Sequence, residues 1–240
     1  MLLRRLTQHV KSQNWFAVFL DFFIVIAGIL IAFQITNWNE QRQERAEEQK
    51  VIERLLKDFV AIGHEADEKI EFLESVEDKF VEMQKFIVDF GKGIDPKPAH
   101  TFFETAFVLP SMVGQSATYS QLVSSGDMSL LSNDNLVAEL VSHAALTQDL
   151  VHSDQSVRAF MRPYTVPLVR FSQLIESLPL EEAFSESGSR SEMIVTIGLY
   201  STVLRGQLAR FKDVKDSISK LTDILKSEQD EPQSALLSAE

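Results

Sequence analysis

The residues best suited to chemistry in this sequence are histidines that stand close to carboxylates. His64 is followed by Glu65 and Glu68, and Asp149 precedes His152 by three positions. Each set places two types of metal ligand on one face of a helix. Neither set has the spacing of a zinc motif, and a solvated, charged helix face explains both. The sequence therefore predicts no metal site and no cofactor.

Serine and acidic residues are abundant, but they do not form catalytic or ion-binding patterns. The sequence contains no Gly-x-Ser-x-Gly elbow and no Gly-x-x-x-x-Gly-Lys phosphate loop. The acidic groups within residues 67–71 and 74–78 follow a helical pattern, whereas calcium loops need short turns with glycine. We predict a protein that has no catalytic residues and is not an enzyme.

Asp21 is the most informative single residue, because it interrupts an apolar run from Phe16 to Ile35. A carboxylate at the centre of a bilayer costs about 2.5–3.5 kcal/mol on insertion scales, and less near an interface. At 100° per residue, Asp21, Gly28 and Ala32 share one narrow stripe of a helix, and Ala17 adjoins it. Small residues beside a polar group permit two membrane helices to pack closely. This stripe, the anchor stripe, is predicted to be an assembly face. In the alternative interpretation, Asp21 lies shallow or is protonated in an ordinary anchor.

The segment from Tyr119 to Leu131 is the second candidate site. Its centre, Ser124-Ser125-Gly126-Asp127, could expose backbone N–H groups to a ligand or partner. The competing interpretation is a helix–turn–helix corner, in which Gly126 adopts a positive φ and Asn133 caps the next helix. We favour the corner. Tyr119, Ser124, Ser125 and Gly126 remain the residues of a candidate partner or ligand segment.

The length and charge of the chain restrict its class. Its 240 residues are enough for one helical domain after an anchor, and they carry a net charge of −12. Such an acidic surface argues against nucleic acid or anionic lipid as a partner, because phosphate binding depends on clustered Lys and Arg. The absence of cysteine excludes disulfides, thiolate zinc sites and cysteine nucleophiles.

The apolar run is predicted to be a transmembrane helix over residues 15–38. The segment between Trp15 and Trp38 would be about 35 Å long as a helix, enough to cross a hydrocarbon core of about 30 Å. The two tryptophans would then lie at the membrane interfaces as anchors. A cleavable signal peptide is the alternative, although the run is long for one and lacks an Ala-x-Ala-like exit.

The orientation of the anchor follows from the charges beside it. Arg4, Arg5 and Lys11 precede the anchor without an acid, which disfavours translocation of residues 1–14. Basic residues also follow the anchor, but they alternate with glutamates and open a long domain, and long domains cross largely regardless of charge. We predict a cytoplasmic N-terminus and a periplasmic domain at a bacterial inner membrane.

Hydrophobic periodicity predicts helices along the rest of the chain. One long helix over about 39–90 carries apolar residues at steps of three and four, from Leu55 to Phe90, and glycines and prolines from Gly91 to Pro98 end it. This helix could continue the anchor without a break, because residues 37–54 contain no glycine or proline. Later elements are expected as follows: a helix over His100–Leu109, a short helix and turn within 114–133, a helix from Asn133 or Asp134 to about Met161, a separate or kinked helix over Tyr164–Leu178, an acidic loop over Pro179–Arg190, and a last helix over Ser191 to about Lys226.

These elements predict an all-α fold, in which an N-terminal transmembrane helix is followed by an antiparallel helical bundle. The expected boundaries are a cytoplasmic tail over 1–14, the transmembrane helix over 15–38, the extracytoplasmic bundle over 39–226 and a disordered tail over 227–240. Two long amphipathic stretches, one near each end of the chain, support this arrangement.

Two motifs resemble those of a known family. The first is the string from Gly28 to Glu40, Gly-Ile-Leu-Ile-Ala-Phe-Gln-Ile-Thr-Asn-Trp-Asn-Glu, with an acid seven residues before the glycine. The second is the Ser-Ser-Gly segment within Thr118–Leu131. Together they resemble a family of small bacterial single-pass membrane proteins of unknown function. The resemblance implies an anchored helical domain from bacteria and brings no activity with it.

Two functions remain open from the sequence. The first is a non-catalytic accessory or assembly subunit of a bacterial inner-membrane complex, whose partners are the lipid bilayer and a membrane protein or a second copy. The second is a sensory or ligand-binding extracytoplasmic module that signals through a partner, since the short N-terminal tail holds no output domain. A nucleic acid partner is not expected.

Overall fold

The computed structural model of the protein describes residues 15–89, 114–175 and 177–237. These residues form five α-helices and one short 3-10 helix, and they contain no β-strand. The helices are α1 (Trp15–Val88), α2 (Ala117–Ser125), the 3-10 helix (Asp127–Leu130), α3 (Asp134–Leu174), α4 (Leu180–Ser187) and α5 (Arg190–Leu237). The predicted all-α class is therefore confirmed for the described part of the chain.

The chain divides into two compact units, Met1–Lys50 and Val51–Glu240. The boundary lies in the charged segment that follows Trp38, twelve residues beyond the predicted end of the anchor. In its described part, the first unit consists of the N-terminal portion of α1. The second unit contains the hydrophobic core and all the other helices.

The apolar face of α1 lies in the core of the second unit. The buried residues of this face are Val51, Ile52, Leu55, Phe59, Ile62, Ala66, Leu73, Val76, Phe80, Met83, Phe86 and Ile87. The three- and four-residue steps of the sequence predict most of this set, and the structure confirms them. Ile70 is only partly buried and packs against the rim of the core. No glycine or proline lies between Gly63 and Val88, so the sequence contains no helix-breaking residue within this part of the buried face.

Ion pairs and hydrogen bonds join α5 to the C-terminal part of α1, from Gly63 to Val88. Successive contacts are Asp67 to Lys215 at 2.6 Å, Glu74 to Lys212 at 2.7 Å, Glu77 to Arg205 at 2.5 Å, and the Ile87 carbonyl to Arg190 at 2.8 Å. The predicted apolar stripe of α5 is buried from Ile197 to Leu225. It supplies the second half of the core.

Helix α3 differs from the prediction, which ends a helix near Met161 and starts a separate or kinked one at Tyr164. One helix runs from Asp134 to Leu174 with Pro163 and Pro167 inside it. Each proline removes a backbone donor, at a cost of about 3 kcal/mol or more in an exposed helix. Here Leu168 and Phe171 are fully buried beyond the prolines, and the Thr165 hydroxyl donates to the Met161 carbonyl at 3.1 Å. Core packing holds the helix together across the break.

The predicted acidic loop over Pro179–Arg190 is wrong, because residues Leu180–Ser187 form helix α4. Ala183 is fully buried, and the ring of Phe184 lies 4.6 Å from that of Phe171, centroid to centroid. The acids in this stretch also suit a helix, since Glu181 and Glu182 lie in its first turn, where the helix dipole favours negative charge.

The corner predicted around Gly126 is confirmed. Helix α2 ends at Gly126, which has φ 79°, and the 3-10 helix follows directly. The Asn133 side chain accepts hydrogen bonds from the N–H groups of Asn135 and Leu136, at 2.8 and 3.1 Å, and so caps α3. The predicted start of α3 is therefore confirmed as well.

The first long helix ends close to its predicted end near Phe90, which itself lies outside the described residues, whereas the last helix extends beyond the prediction. Helix α1 ends at Val88, where the Arg190 guanidinium donates to the carbonyls of Ile87 and Val88. Helix α5 continues past Lys226 to Leu237, so the predicted boundary of the tail 227–240 does not match the end of the helix. Glu228 explains part of this extension, because its carboxylate accepts from the Asn133 amide at 2.5 Å and ties the helix to the start of α3.

Several predicted elements lie outside the described residues. They are the tail over 1–14, the stop signals from Gly91 to Pro98, the helix over His100–Leu109, and the last three residues of the chain.

Candidate functional site

In the first unit, the apolar segment of α1 is exposed along its length. The window that qualifies as a membrane span has a mean hydropathy of 2.3, and none of it is buried. Phe22, Ile29 and Phe33 are examples, with 63%, 51% and 64% of their surfaces exposed. By length and composition this helix could cross a membrane, and its exposure distinguishes it from the core helix of a globular domain.

The structure places the predicted anchor stripe on this exposed helix. Asp21, Gly28 and Ala32 are helical and exposed, and apart from the neighbouring backbone of the helix itself no atom lies within 4 Å of a Cβ built on Gly28. Ala17 is helical too, but its side chain lies outside the described part. The stripe therefore leaves room for the backbone of a second helix to approach at Gly28.

Of the two predicted interfacial anchors, Trp38 has a described side chain. Its indole is 64% exposed, and the Arg42 guanidinium carbon lies 5.9 Å from the ring centroid. This cation–π contact between neighbouring turns is weak at an exposed position. Trp15 is the first residue of α1, and nothing further is described of its side chain.

In the second unit, two carboxylates of α1 hold the segment that contains α2. Asp58 accepts from the Ser116 hydroxyl at 2.8 Å and from the Thr118 N–H at 3.0 Å. Burial alone would raise the pKa of Asp58, but these hydrogen bonds outweigh it, so the pKa lies below its usual value. Glu65 accepts from Lys69 and from the Gly114 N–H, and the bond from Lys69 contributes most to lowering its pKa.

The predicted ligand segment separates into two parts. Tyr119 is half-buried, and its N–H donates to the Ser116 hydroxyl at 3.0 Å. Ser124 and Ser125 are exposed, and each hydroxyl donates to the Gln121 carbonyl at 2.9 Å. Gly126 closes the helix by donating to the Leu122 carbonyl. Tyr119 thus faces the core, while the Ser-Ser-Gly part bonds within its own turn.

His143 is a buried polar residue of the second unit, and its imidazole contacts two hydroxyl groups. Thr147 donates its single hydroxyl proton to the His143 carbonyl at 2.9 Å, so its contact with Nε2 at 3.4 Å requires Nε2 to carry a proton. Nδ1 then accepts from the Ser217 hydroxyl at 3.2 Å. Burial lowers the pKa of His143 from 6.5 to about 4. The imidazole is neutral in the folded protein, and this network selects its tautomer.

A cavity of about 70 Å³ lies beside His143. Its walls come from Phe59 of α1, from Gln115, Ser116, Tyr119 and Ser120 of the α2 region, and from His143, Ala144 and Thr147 of α3. The Phe59 ring meets the imidazole edge to face, with centroids 5.2 Å apart. At about 30 Å³ per water molecule, the cavity has room for about two waters or one very small molecule.

A wider groove of about 200 Å³ lies between α1 and α5. Phe59, Val60 and Ile218 contribute apolar walls, and the ammonium group of Lys215 donates to the Gly63 carbonyl at 3.0 Å and to Asp67 at 2.6 Å. His64 and Asp223 also line it. Its mixture of apolar and charged groups suits a small amphipathic molecule.

The sequence predicts the helix that carries His143 and Thr147, but not the cavity that these two residues border. The missing partners, Phe59 and the residues from Gln115 to Ser120, come from other helices, and their contact depends on the tertiary fold. In the described ranges, no three His, Cys, Asp or Glu residues are grouped so that they could hold a metal ion.

Comparison of this chain with protein-family models, with curated proteins and with solved structures finds no match. The family resemblance of the Gly28–Glu40 and Thr118–Leu131 motifs stays a prediction.

Proposed function

We propose that this protein is a non-catalytic, single-pass membrane protein that serves as an accessory or assembly subunit of a bacterial inner-membrane complex. Its N-terminal tail is cytoplasmic and its helical domain is periplasmic. The domain is an antiparallel helical bundle, and the protein meets its partner through the anchor stripe and the domain surface.

The observation that carries this proposal is an apolar helix exposed along its length with a carboxylate in it. Every large apolar side chain described between Phe19 and Trp38 is exposed, and such a surface is unstable in water unless lipid or protein covers it. Asp21 interrupts this surface on the side that also holds Gly28 and Ala32. A membrane carboxylate with small residues beside it is typical of a helix that packs against a polar partner helix.

The order of contacts between the long helices supports the antiparallel bundle. From Asp67 to Ile87 the residue numbers rise along α1, while their partners fall from Lys215 to Arg190 along α5. The contacts between α3 and α5 follow the same rule, since Glu139 pairs with Lys220 and Asp149 pairs with Arg210. Helices α1 and α3 therefore both run opposite to α5 and parallel to each other. Bundles with a long crossover connection allow this order, and here residues 89–133 lie between α1 and α3.

The test of the accessory function is a native purification of the full-length protein from membranes with its copurifying proteins. We expect Asp21→Leu to lose the partner, because it removes the polar group from the anchor stripe. Gly28→Leu should also lose it by filling the stripe, whereas Ala27→Leu makes the same change about 100° away on the helix and serves as the matched control. An unchanged set of partners and an unchanged oligomeric state in Asp21→Leu and Gly28→Leu would contradict the proposal.

The orientation has its own test. A reporter that is active only in the periplasm, fused after Glu240, should be active. A reporter that is active only in the cytoplasm should be silent at the same position. The reverse pattern would place the domain in the cytoplasm and overturn the proposed localisation.

A sensory or ligand-binding module is the second candidate, and the two cavities of the domain favour it. The groove between α1 and α5 has a volume that suits a small amphipathic molecule, and Tyr119 lies on the wall of the smaller cavity. A screen of small metabolites by thermal shift of the full-length protein in detergent tests this function. A ligand that stabilises the wild type, but not a Gly63→Leu variant with a blocked groove, would support it. If the screen finds no such ligand, the sensory function is rejected and the accessory function stands.

A further inference from the structure

An arginine-containing face on α3 stands out in this acidic protein. Between Asp154 and Leu174 the helix carries three arginines and no acid, although the chain as a whole has a net charge of −12. We call the residues Arg158, Arg162, Val166, Val169 and Arg170 the arginine stripe. At 100° per residue they fall within an arc of about 120°, and all five are exposed. The buried residues Met161, Leu168 and Phe171 lie on the other side of the helix.

The arginine stripe is only partly neutralised. Arg158 pairs with Asp154 at 2.7 Å, and Arg170 approaches Glu186 at 3.9 Å. Arg162 has no ion pair within the part of the chain that the structure describes. Val166 is 66% exposed between the charges. A face that mixes exposed apolar groups with arginine has the composition of an interface rather than that of a solvated surface.

A complementary face lies on α1 in the same compact unit. The carboxylate stripe consists of Glu68, Glu71, Asp78 and Glu82, and it falls within an arc of about 80° on the side away from the core. All four side chains are exposed, and none pairs with a cation among the described residues. Ser75 lies at the centre of the stripe. Glu68 and Glu71 are three residues apart, and Asp78 and Glu82 are four apart, so the charges within each pair repel, which a facing set of cations would relieve.

The two stripes match in length as well as in charge. The carboxylate stripe extends for about 21 Å along α1, and the arginine stripe for about 18 Å along α3, at 1.5 Å per residue. We propose that the arginine stripe of one copy docks on the carboxylate stripe of a second copy. In a two-fold symmetric dimer, each copy contributes both faces, so the contact is made twice. This deepens the proposed accessory function by naming a partner for the domain, but it uses residues of the second unit alone.

A second copy fits the arginine stripe better than an anionic bilayer or a nucleic acid does. The net charge of −12 repels a second copy as well as phosphates, but the phosphates of a bilayer or a nucleic acid extend beyond the arginine stripe and face the rest of the acidic surface. A second copy presents carboxylates over a matching length. The contact is expected to weaken with salt, since screening shortens the Debye length from about 10 Å at 0.1 M to about 3 Å at 1 M.

Cross-linking between differently tagged copies of the full-length protein tests the proposal. The chain contains no cysteine, so one copy can carry Val166→Cys and the other Ser75→Cys without further change. With a short bis-maleimide cross-linker, in detergent at low salt, we expect a product of twice the chain mass. Val141→Cys, exposed on the same helix but about 38 Å from Val166 along its axis, is the matched control and should give little product.

Charge reversal then tests the chemistry of the contact. R162E with R170E should reduce cross-linking on the order of tenfold, because attraction becomes repulsion. E71R with D78R should do the same. When a copy with R162E and R170E is mixed with a copy with E71R and D78R, both contacts are complementary again and cross-linking should return. Lys226→Glu reverses an exposed charge outside both stripes and should have no effect.

Three results would overturn the proposal: cross-linking no stronger than with Val141→Cys, cross-linking that persists in R162E with R170E at high salt, or failure of the mixed reversed copies to recover. Circular dichroism of each variant shows that the helices are intact. A loss of binding to anionic phospholipid vesicles in R162E with R170E, with cross-linking unchanged, would assign the stripe to lipid instead. Asp21→Leu should leave this cross-link intact, so its result is separate from that of the anchor test.

Discussion

Acidification between about pH 7 and about pH 5 is expected to destabilise the helical domain through a single residue, His143. Burial lowers its pKa to about 4 in the folded protein, while the unfolded chain keeps the ordinary value of about 6.5. At a pH between these two pKa values, His143 is protonated in the unfolded chain but neutral in the folded protein. The contribution of His143 to the free energy of unfolding is therefore complete above about pH 6.5, decreases as the pH falls, and is lost below about pH 4.

The size of the effect follows from the two pKa values. Their difference corresponds to a total loss of about 3 kcal/mol, of which about 2 kcal/mol falls between about pH 7 and about pH 5. This is a large part of the stability of about 5–15 kcal/mol that is typical of a domain. Asp58 and Glu65 have lowered pKa values, so their contributions are lost only as the pH falls below their ordinary values of 3.8 and 4.5. Of these three groups, only His143 changes the stability between about pH 7 and about pH 5.

Urea unfolding of the full-length protein in detergent, followed by circular dichroism at several pH values, measures this slope. His143→Gln removes the titrating group and should remove most of the slope between about pH 7 and about pH 5. His152→Gln changes an exposed histidine on the same helix and should keep it. If His143→Gln retained the slope of the wild type, or if the wild type showed none, the assignment to a buried, neutral imidazole would be refuted.

Two stability predictions concern positions where a single helix feature can be isolated. Leu168→Ala should lower the free energy of unfolding by about 2–5 kcal/mol, because Leu168 is fully buried beyond the prolines of α3. The control Val141→Ala, at an exposed site on the same helix, should change it by about 0.5 kcal/mol or less. Equal effects of the two variants would mean that the end of α3 does not pack in the core. Asn133→Ala should lower the free energy of unfolding by about 1 kcal/mol through loss of the cap, while Asn133→Ser keeps a capping oxygen and loses the amide donor to Glu228; a larger loss in Asn133→Ser than in Asn133→Ala would contradict the capping role.

The long helices could be predicted because each carries its own periodic signal. On α1, the apolar steps from Leu55 to Ile87 identify the buried face without any knowledge of what covers it. The same is true of α5 from Ile197 to Leu225, and of the cap at Asn133, whose partners lie two and three residues away. Each of these signals is local, so a single sequence is enough to find it.

The errors lie where distant contacts outweigh local preference. Pro163 predicts an interruption from its missing N–H, but the burial of Leu168 and Phe171 holds the helix together. The acidic, serine-rich composition of 180–187 is typical of a loop, and burial of Ala183 and Phe184 makes it a helix.

The candidate sites also differ in whether a single sequence is enough to predict them. The anchor stripe belongs to one helix, so its geometry follows from spacing alone. The cavity beside His143 is built from residues on three helices and cannot be found from any one of them.

The bond network at Arg190 has a consequence for the order in which the protein is built during synthesis. Arg190 follows Ile87 by 103 positions, and its guanidinium caps the last carbonyls of α1. At about 5–20 residues per second, the ribosome needs about 5–20 s to reach Arg190 after it has made Ile87. During that time the end of α1 lacks this donor and is exposed to fraying. The first long helix made is therefore among the last to be finished, and it is completed by the first residue of the final helix.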